Sequence, residues 1–162
     1  MAFRPATLDD LAYCYLVFAD GMREYVERLY GWDEAEQRKK FVSVFQPQEA
    51  RIIRGRIGPA VADVGWVQVE TEEDSLHVKE LHVARASRNL GLGAWALLQI
   101  LDEAAAVHKD VRLATFEISD AVRFYLRLGF ARVGQAGEVV RLRHAAGGEA
   151  GVPEGAPHAI AP

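Results

Sequence analysis

Between Val83 and Ala96 the sequence leaves an alternating run and enters Arg88-Asn89-Leu90-Gly91-Leu92-Gly93. It then continues into an alanine- and leucine-rich stretch, Ala94 to His108. A strand hands over to a helix across a glycine-bearing turn, and the helix is about 22 Å long at roughly 1.5 Å per residue. Val111 to Glu117, with Val111, Leu113, Thr115 and Phe116, follows as another strand, which makes one strand-helix-strand crossover.

The rest of the chain changes period around this crossover. Ala2 to Pro5 reads as extended, and Thr7 followed by Asp10 is a capping-box-like start for the apolar segment Leu8 to Ala19. Asp20 and Gly21 are expected to interrupt this helix. Met22, Tyr25, Val26, Leu29 and Tyr30 then recur at helical spacing up to Gly31. Asp33 with Glu36 repeats the capping pattern and opens a charged helix through about Phe45, ended by Pro47. Arg51 to Arg56 and Ala60 to Glu70 flank the turn signal Gly58-Pro59 as two antiparallel strands, and Ser75 to Val83 forms a third. Ala121 to Leu128 is a helix closed by Gly129, and Phe130 to Val133 and Val139 to Arg143 are strands. The expected fold is therefore a single mixed α/β (α+β) domain over residues 1–144. From Ala145 to Pro162 a glycine-, alanine- and proline-rich tail has almost no bulky apolar side chain to offset the entropy of ordering.

Composition narrows the partners. A formal net charge of −4 on 162 residues gives no global basic field for nucleic acid or an anionic membrane. No stretch approaches the 18 or so apolar residues of a membrane span, and the first ten residues lack a signal-peptide pattern. The single cysteine, Cys14, excludes an intramolecular disulfide and a cysteine-based zinc cage, and suits a reducing cytoplasm. The histidines show no helical i, i+4 pair, so no metal site is expected. Trp66 and Trp95 are read as core residues.

An acidic chain can still hold an anion locally. Glycines let the backbone approach a ligand, and the unpaired amides at a helix start carry the positive end of the helix dipole. Arg85 and Arg88 add positive charge beside them. A tight turn is the plain alternative. Gly91, Gly93 and Ala96 also match the G-x-G-x-x-A of a dinucleotide fold. In that fold the first glycine follows its strand almost at once, whereas Ala84 to Leu90 intervene here, and several parallel crossovers are needed where this chain shows one.

RNLGLG at 88–93 resembles the coenzyme motif of the GNAT superfamily of N-acetyltransferases: Gln or Arg, two residues, Gly, one residue, Gly or Ala. A second match is Ser119-Asp120-Ala121-Val122-Arg123-Phe124-Tyr125 followed by Leu126-Arg127-Leu128-Gly129-Phe130. The segment from Gly31-Trp32-Asp33-Glu34 to Gln37 is similar to one near the start of some bacterial members. The resemblance covers about Phe3 to Arg143 and is strongest from Leu76 to Phe130. It implies a mixed, mostly antiparallel sheet flanked by helices, with a splayed central strand pair, and acetyl-CoA as the coenzyme.

The resemblance also implies roles for residues. Main-chain groups at Leu81 and Val83 would pair with the pantetheine arm, lying between the splayed strands. Arg88, Asn89, Leu90, Gly91, Leu92, Gly93 and Ala94 would hold the pyrophosphate. Ser119 stands where many members carry an asparagine that contacts the arm, and Phe124 and Tyr125 follow it. Tyr125 is expected to protonate the departing thiolate. The plain alternative for both aromatics is core packing.

Amine acetylation also needs a base. Period two puts Val78, Glu80 and His82 on one face of their strand, so Glu80, directly or through water, is the expected base with His82 as alternate. Glu80 paired with an arginine and His82 as a satisfied core residue are the plain alternatives. The resemblance puts the acceptor beside the first two helices, where Glu24, Tyr25, Trp32, Asp33 and Gln37 are candidates that also suit packing and capping. The expected reaction is direct ternary-complex transfer of acetyl to a small-molecule or peptide amine, with an acyl-CoA sensor as the alternative. Dimers are common in the family, which admits a homodimer.

Overall fold

Helical spacing near the start of the chain and two-residue alternation in its middle become helices and strands in the expected order. A computed structural model describes residues 1–147. The order is β1 (Ala2–Pro5), α1 (Leu11–Tyr30), α2 (Glu34–Val44), β2 (Ala50–Ile57), β3 (Ala60–Thr71), β4 (Ser75–Val83), α3 (Leu92–Ala106), β5 (Asp110–Phe116), α4 (Ala121–Arg127), β6 (Ala131–Ala136) and β7 (Val139–His144). Residues 148–162 of the expected tail lie outside the described residues. The mixed α/β class holds: seven strands run β1-β2-β3-β4-β5-β7-β6, with β4 and β5 parallel and the β1–β2, β2–β3, β5–β7 and β6–β7 pairs antiparallel.

The described residues group into two compact units, one of 1–68 with 80–88, the other of 69–79 with 89–147; β3 and β4 contribute residues to both. In the first unit the Thr7 N–H donates to Asp10 Oδ2 at 2.8 Å, the expected capping contact, and a single 3-10 turn leads into α1. The expected interruption at Asp20-Gly21 is absent, and α1 is continuous for 20 residues. An internal glycine costs a helix about 0.5–1 kcal/mol against alanine. Burying an apolar side chain contributes about 1.5–3 kcal/mol, and α1 buries Tyr15, Val17 and Val26 along one stripe with Cys14. Packing therefore outweighs the local break signal. Phe41 and Phe45, Ile52 and Trp66 complete this core, with the Phe41 ring edge-on to Trp66 at 5.7 Å. Gly31, at φ 81°, ends α1, and Asp33 Oδ1 caps α2 by accepting from the Glu36 N–H at 2.8 Å.

In the second unit, the parallel ladder joins Ser75–Val78 to Asp110–Leu113. Beyond it, Ala114–Phe116 pair with the β7 residues Arg141, Val140 and Val139. α3 lies against β5 and buries Leu92, Ala96, Leu97, Ile100, Leu101 and Ala104. Gly129, at φ 89°, closes α4, letting the Phe130 N–H donate to the Tyr125 carbonyl at 3.2 Å. The next strand begins at Ala131 and reaches Ala136, three residues beyond its expected end, because it pairs with β7 as far as Ala136↔Val139.

Candidate active site

In the first unit the last residues of β4 carry the titratable pair. Alternation puts Glu80 and His82 on one face, and Glu80 Oε2 lies 2.6 Å from His82 Nε2. Glu80 thus pairs with His82 rather than with an arginine. The imidazole packs against Trp66 at 5.4 Å and meets Phe18 edge-on at 5.5 Å. The side chains of His82 and Glu80 are 10% and 24% exposed. A carboxylate holding one imidazole nitrogen fixes the ring and leaves the other nitrogen to act.

Beside α1 runs a groove of about 780 Å³. Its lining includes Tyr15, Leu16, Asp20, Gly21, Glu24 and Tyr25. Two expected acceptor residues, Glu24 and Tyr25, are among them, whereas Trp32, Asp33 and Gln37 are not part of this lining. Asp33 caps α2, and the Trp32 Nε1–H donates to Glu34 Oε2 at 2.9 Å. Glu34 Oε1 accepts from the Tyr15 hydroxyl at 2.8 Å, so one carboxylate ties α1 to the start of α2. The bonds from Trp32 and Tyr15 hold its pKa below the usual glutamate value.

Arg85 and Arg88, expected to add local positive charge beside the glycine-bearing turn, line this groove too and are paired with Asp20. Arg85 Nε donates to Asp20 Oδ1 at 3.0 Å and Arg88 Nη2 to Asp20 Oδ2 at 3.1 Å. Arg88 Nε also donates to the Val83 carbonyl at 3.0 Å, which engages one of the main-chain groups expected to meet the pantetheine arm. Leu81 is half-buried in the same strand.

In the second unit Asn89 and Gly91 adopt left-handed backbone, at φ 64° and 73°. Leu90 between them is exposed. Gly91 is the N-cap of α3, and its carbonyl accepts from the Trp95 N–H at 2.9 Å. The amides of Leu92, Gly93 and Ala94 come before the first intrahelical donor and point out of the helix tip. A β-carbon on Gly91 would meet nothing within 4 Å. Open space beside several convergent N–H donors fits the diphosphate of a coenzyme A. Further on, Ser119 Oγ accepts from the Ala121 N–H at 3.1 Å, so its side chain shapes the turn into α4. Tyr125 is buried, its ring 5.2 Å from Phe124 and 5.8 Å from Phe130.

The sequence pattern of the acetyltransferase (GNAT) domain matches residues 33–146, well over half of the chain. The chain belongs to the GNAT acetyltransferase family. Solved structures with the same fold include the PaiA N-acetyltransferase of Thermoplasma acidophilum in complex with coenzyme A. It is 11% identical with a TM-score of 0.68, over 89% of this chain and 98% of that one. An N-acetyltransferase from Staphylococcus aureus aligns at 12% identity and TM-score 0.66, over 89% and 100%. The ribosomal-protein-alanine N-acetyltransferase of Escherichia coli aligns at 14% and 0.62, over 90% and 93%.

Within this GNAT domain, sequence reasoning passed over Asp20, read only as a helix breaker, and the Tyr15–Glu34 link. Asp20 stands 65 and 68 residues from its two arginines. No local spacing signals such a contact. Among the described residues no helix is long and apolar enough to cross a membrane.

Proposed function

We propose that the chain transfers the acetyl group of acetyl-coenzyme A to a primary amine in a direct ternary complex. The observation that carries this reading is the Glu80–His82 pair at 2.6 Å. An amine with a pKa of about 10.4 is mostly protonated at neutral pH, and deprotonating it costs roughly 4–5 kcal/mol. With Glu80 accepting from Nε2–H, His82 keeps Nδ1 as the proton acceptor, and the two act as one base.

Coenzyme A supplies the acetyl group activated as a thioester. The amides of Leu90, Gly91, Leu92, Gly93 and Ala94, with Arg88 and Asn89, hold its diphosphate. Main-chain groups of Leu81 and Val83 would orient the arm, and Ser119, Phe124 and Tyr125 are the second unit's candidates for contact with the coenzyme. In the transfer, the amine nitrogen bonds to the acetyl carbon as the carbon–sulfur bond breaks. The amine's proton passes to His82, and the Tyr125 hydroxyl gives a proton to the departing sulfur. Glu24 and Tyr25 meet the acceptor, and Trp32 and Asp33 shape that end of the first unit. The acceptor class stays broad, a small-molecule or peptide amine. The reading carries with it a cytoplasmic setting for the one buried cysteine, Cys14, and a homodimer as the assembly.

Ser119 favours a second reading, a sensor that binds acyl-CoA without turnover, because its hydroxyl is engaged by the Ala121 N–H where many relatives offer an amide side chain. Titration calorimetry with acetyl-CoA and thiol release across a panel of amines separate the two. Binding with thiol release is expected; binding with no release from any amine overturns the transferase reading in favour of the sensor.

A further inference from the structure

Arg88 is engaged on both sides of its guanidinium. Nε donates to the Val83 carbonyl at 3.0 Å and Nη2 to Asp20 Oδ2 at 3.1 Å. The carbonyl belongs to the open edge of β4. Ala84, next in the chain, sends its N–H to the Val64 carbonyl on β3 at 2.9 Å. Successive residues of an extended chain direct their main-chain groups to opposite edges, so those of Val83 face away from β3. The ladder on that other side pairs β4 with β5 only as far as Val78↔Leu113. At Val83 the place of a neighbouring strand is therefore taken by an arginine side chain from five residues further along.

Asp20 holds the arginine there. One oxygen, Oδ1, accepts from Arg85 Nε at 3.0 Å and stands 3.0 Å from Arg85 Nη2, which fixes the carboxylate at the middle of α1. The other, Oδ2, is given to Arg88. This second tie is open to water, the side chains of Arg88 and Asp20 being 34% and 37% exposed. Solvent competes with such a pair, so it orients the guanidinium without locking it. A diphosphate offers more charge and more acceptor oxygens than one carboxylate, and an arginine exchanges readily from the second to the first.

Resting on the coenzyme contacts proposed above, we propose that Asp20 is a displaceable counter-ion for Arg88, and that coenzyme A binds by exchanging with it. In the free protein Asp20 keeps Arg88 turned onto the Val83 carbonyl, so two groups that the coenzyme uses are occupied by each other. On binding, an amide N–H of the pantetheine arm replaces Arg88 Nε at that carbonyl, and the guanidinium passes from Asp20 to the diphosphate. Arg85 stays on Asp20, so no charge is left without a partner. Asp20 thus lowers coenzyme affinity without touching the coenzyme. It is a positioning residue that acts through Arg88.

Titration calorimetry of the full-length protein with coenzyme A tests this. Asp20→Asn is expected to bind about two- to fivefold more tightly than the wild type, the range that an exposed pair allows. Asp20→Ala, with the better helix former, gives a second reading should asparagine unsettle α1. Glu27→Gln removes the same charge from the lining of the same groove, where Glu27 lies 3.9 Å from Arg23, and is expected to bind as the wild type does. In an Arg88→Gln background, Asp20→Asn is expected to change nothing, since its effect runs through that guanidinium. Unchanged or weaker binding by folded Asp20 variants overturns the exchange. So does tightening that persists without Arg88, which would make Asp20 a distant charge only. Tighter binding by Asp20→Asn in a protein that releases no thiol with any amine upholds the exchange and overturns the transferase reading instead. Binding by none of the proteins overturns the coenzyme contacts and the exchange with them.

Discussion

Gly65 on β3 and His82 on β4 approach so closely that a β-carbon on Gly65 would overlap the His82 carbonyl oxygen. The obstacle is backbone, which cannot swing aside as a side-chain tip would. Gly65→Ala should therefore shift β4 at the residue that carries the imidazole. Overpacking of this kind costs about 1–3 kcal/mol. Urea unfolding should show that loss, and acetyl transfer should fall further than stability does. An alanine variant with unchanged midpoint and turnover would mean that the two strands yield freely here.

Glu80→Gln keeps a hydrogen-bonding group beside Nε2 but removes the carboxylate that holds the ring at 2.6 Å. Turnover is expected to fall by about 10²-fold with coenzyme A affinity unchanged. His82→Ala should lose a similar factor. On the proposal that the two act as one base, the double variant should be no worse than the poorer single one. Losses that multiply, measured by thiol release at saturating acetyl-CoA, would show instead that the two residues act separately.

Tyr125→Phe removes one hydroxyl from a buried ring packed by Phe124 and Phe130. The expected result is retained coenzyme A binding with turnover lowered by about 10²-fold or more. Unchanged turnover would take Tyr125 out of the reaction and leave it a packing residue.

Acid stability should respond to Arg4. Its guanidinium donates to both oxygens of Asp10, at 2.9 and 2.7 Å, and this holds the Asp10 pKa below its ordinary value. A carboxylate with a depressed folded-state pKa contributes its full stabilisation above the unfolded value of about 3.9 and loses it as the pH falls through the folded value. Arg4→Gln should leave the protein less stable above about pH 4 and move the acid-unfolding midpoint upward, followed by far-UV circular dichroism. A midpoint that stays in place would show that the ion pair contributes nothing measurable.

Sequence alone determined the elements whose signal lies within one or two turns of chain. The glycine-bearing handover into α3, the capping residues Thr7 and Asp33, the order of the strands along the chain and the shared face of Glu80 and His82 all follow from local spacing and backbone geometry. Tertiary structure decided whatever depends on partners far away in the chain. Burial of Tyr15, Val17 and Val26 carried α1 through Asp20 and Gly21, which local preference would have broken. Asp20 then became the anchor of Arg85 and Arg88, and Gly21 the bare spot facing His82. Propensities act over a few residues, each contributing a fraction of a kcal/mol to about one, whereas packing sums many contacts between distant segments and prevails where the two conflict.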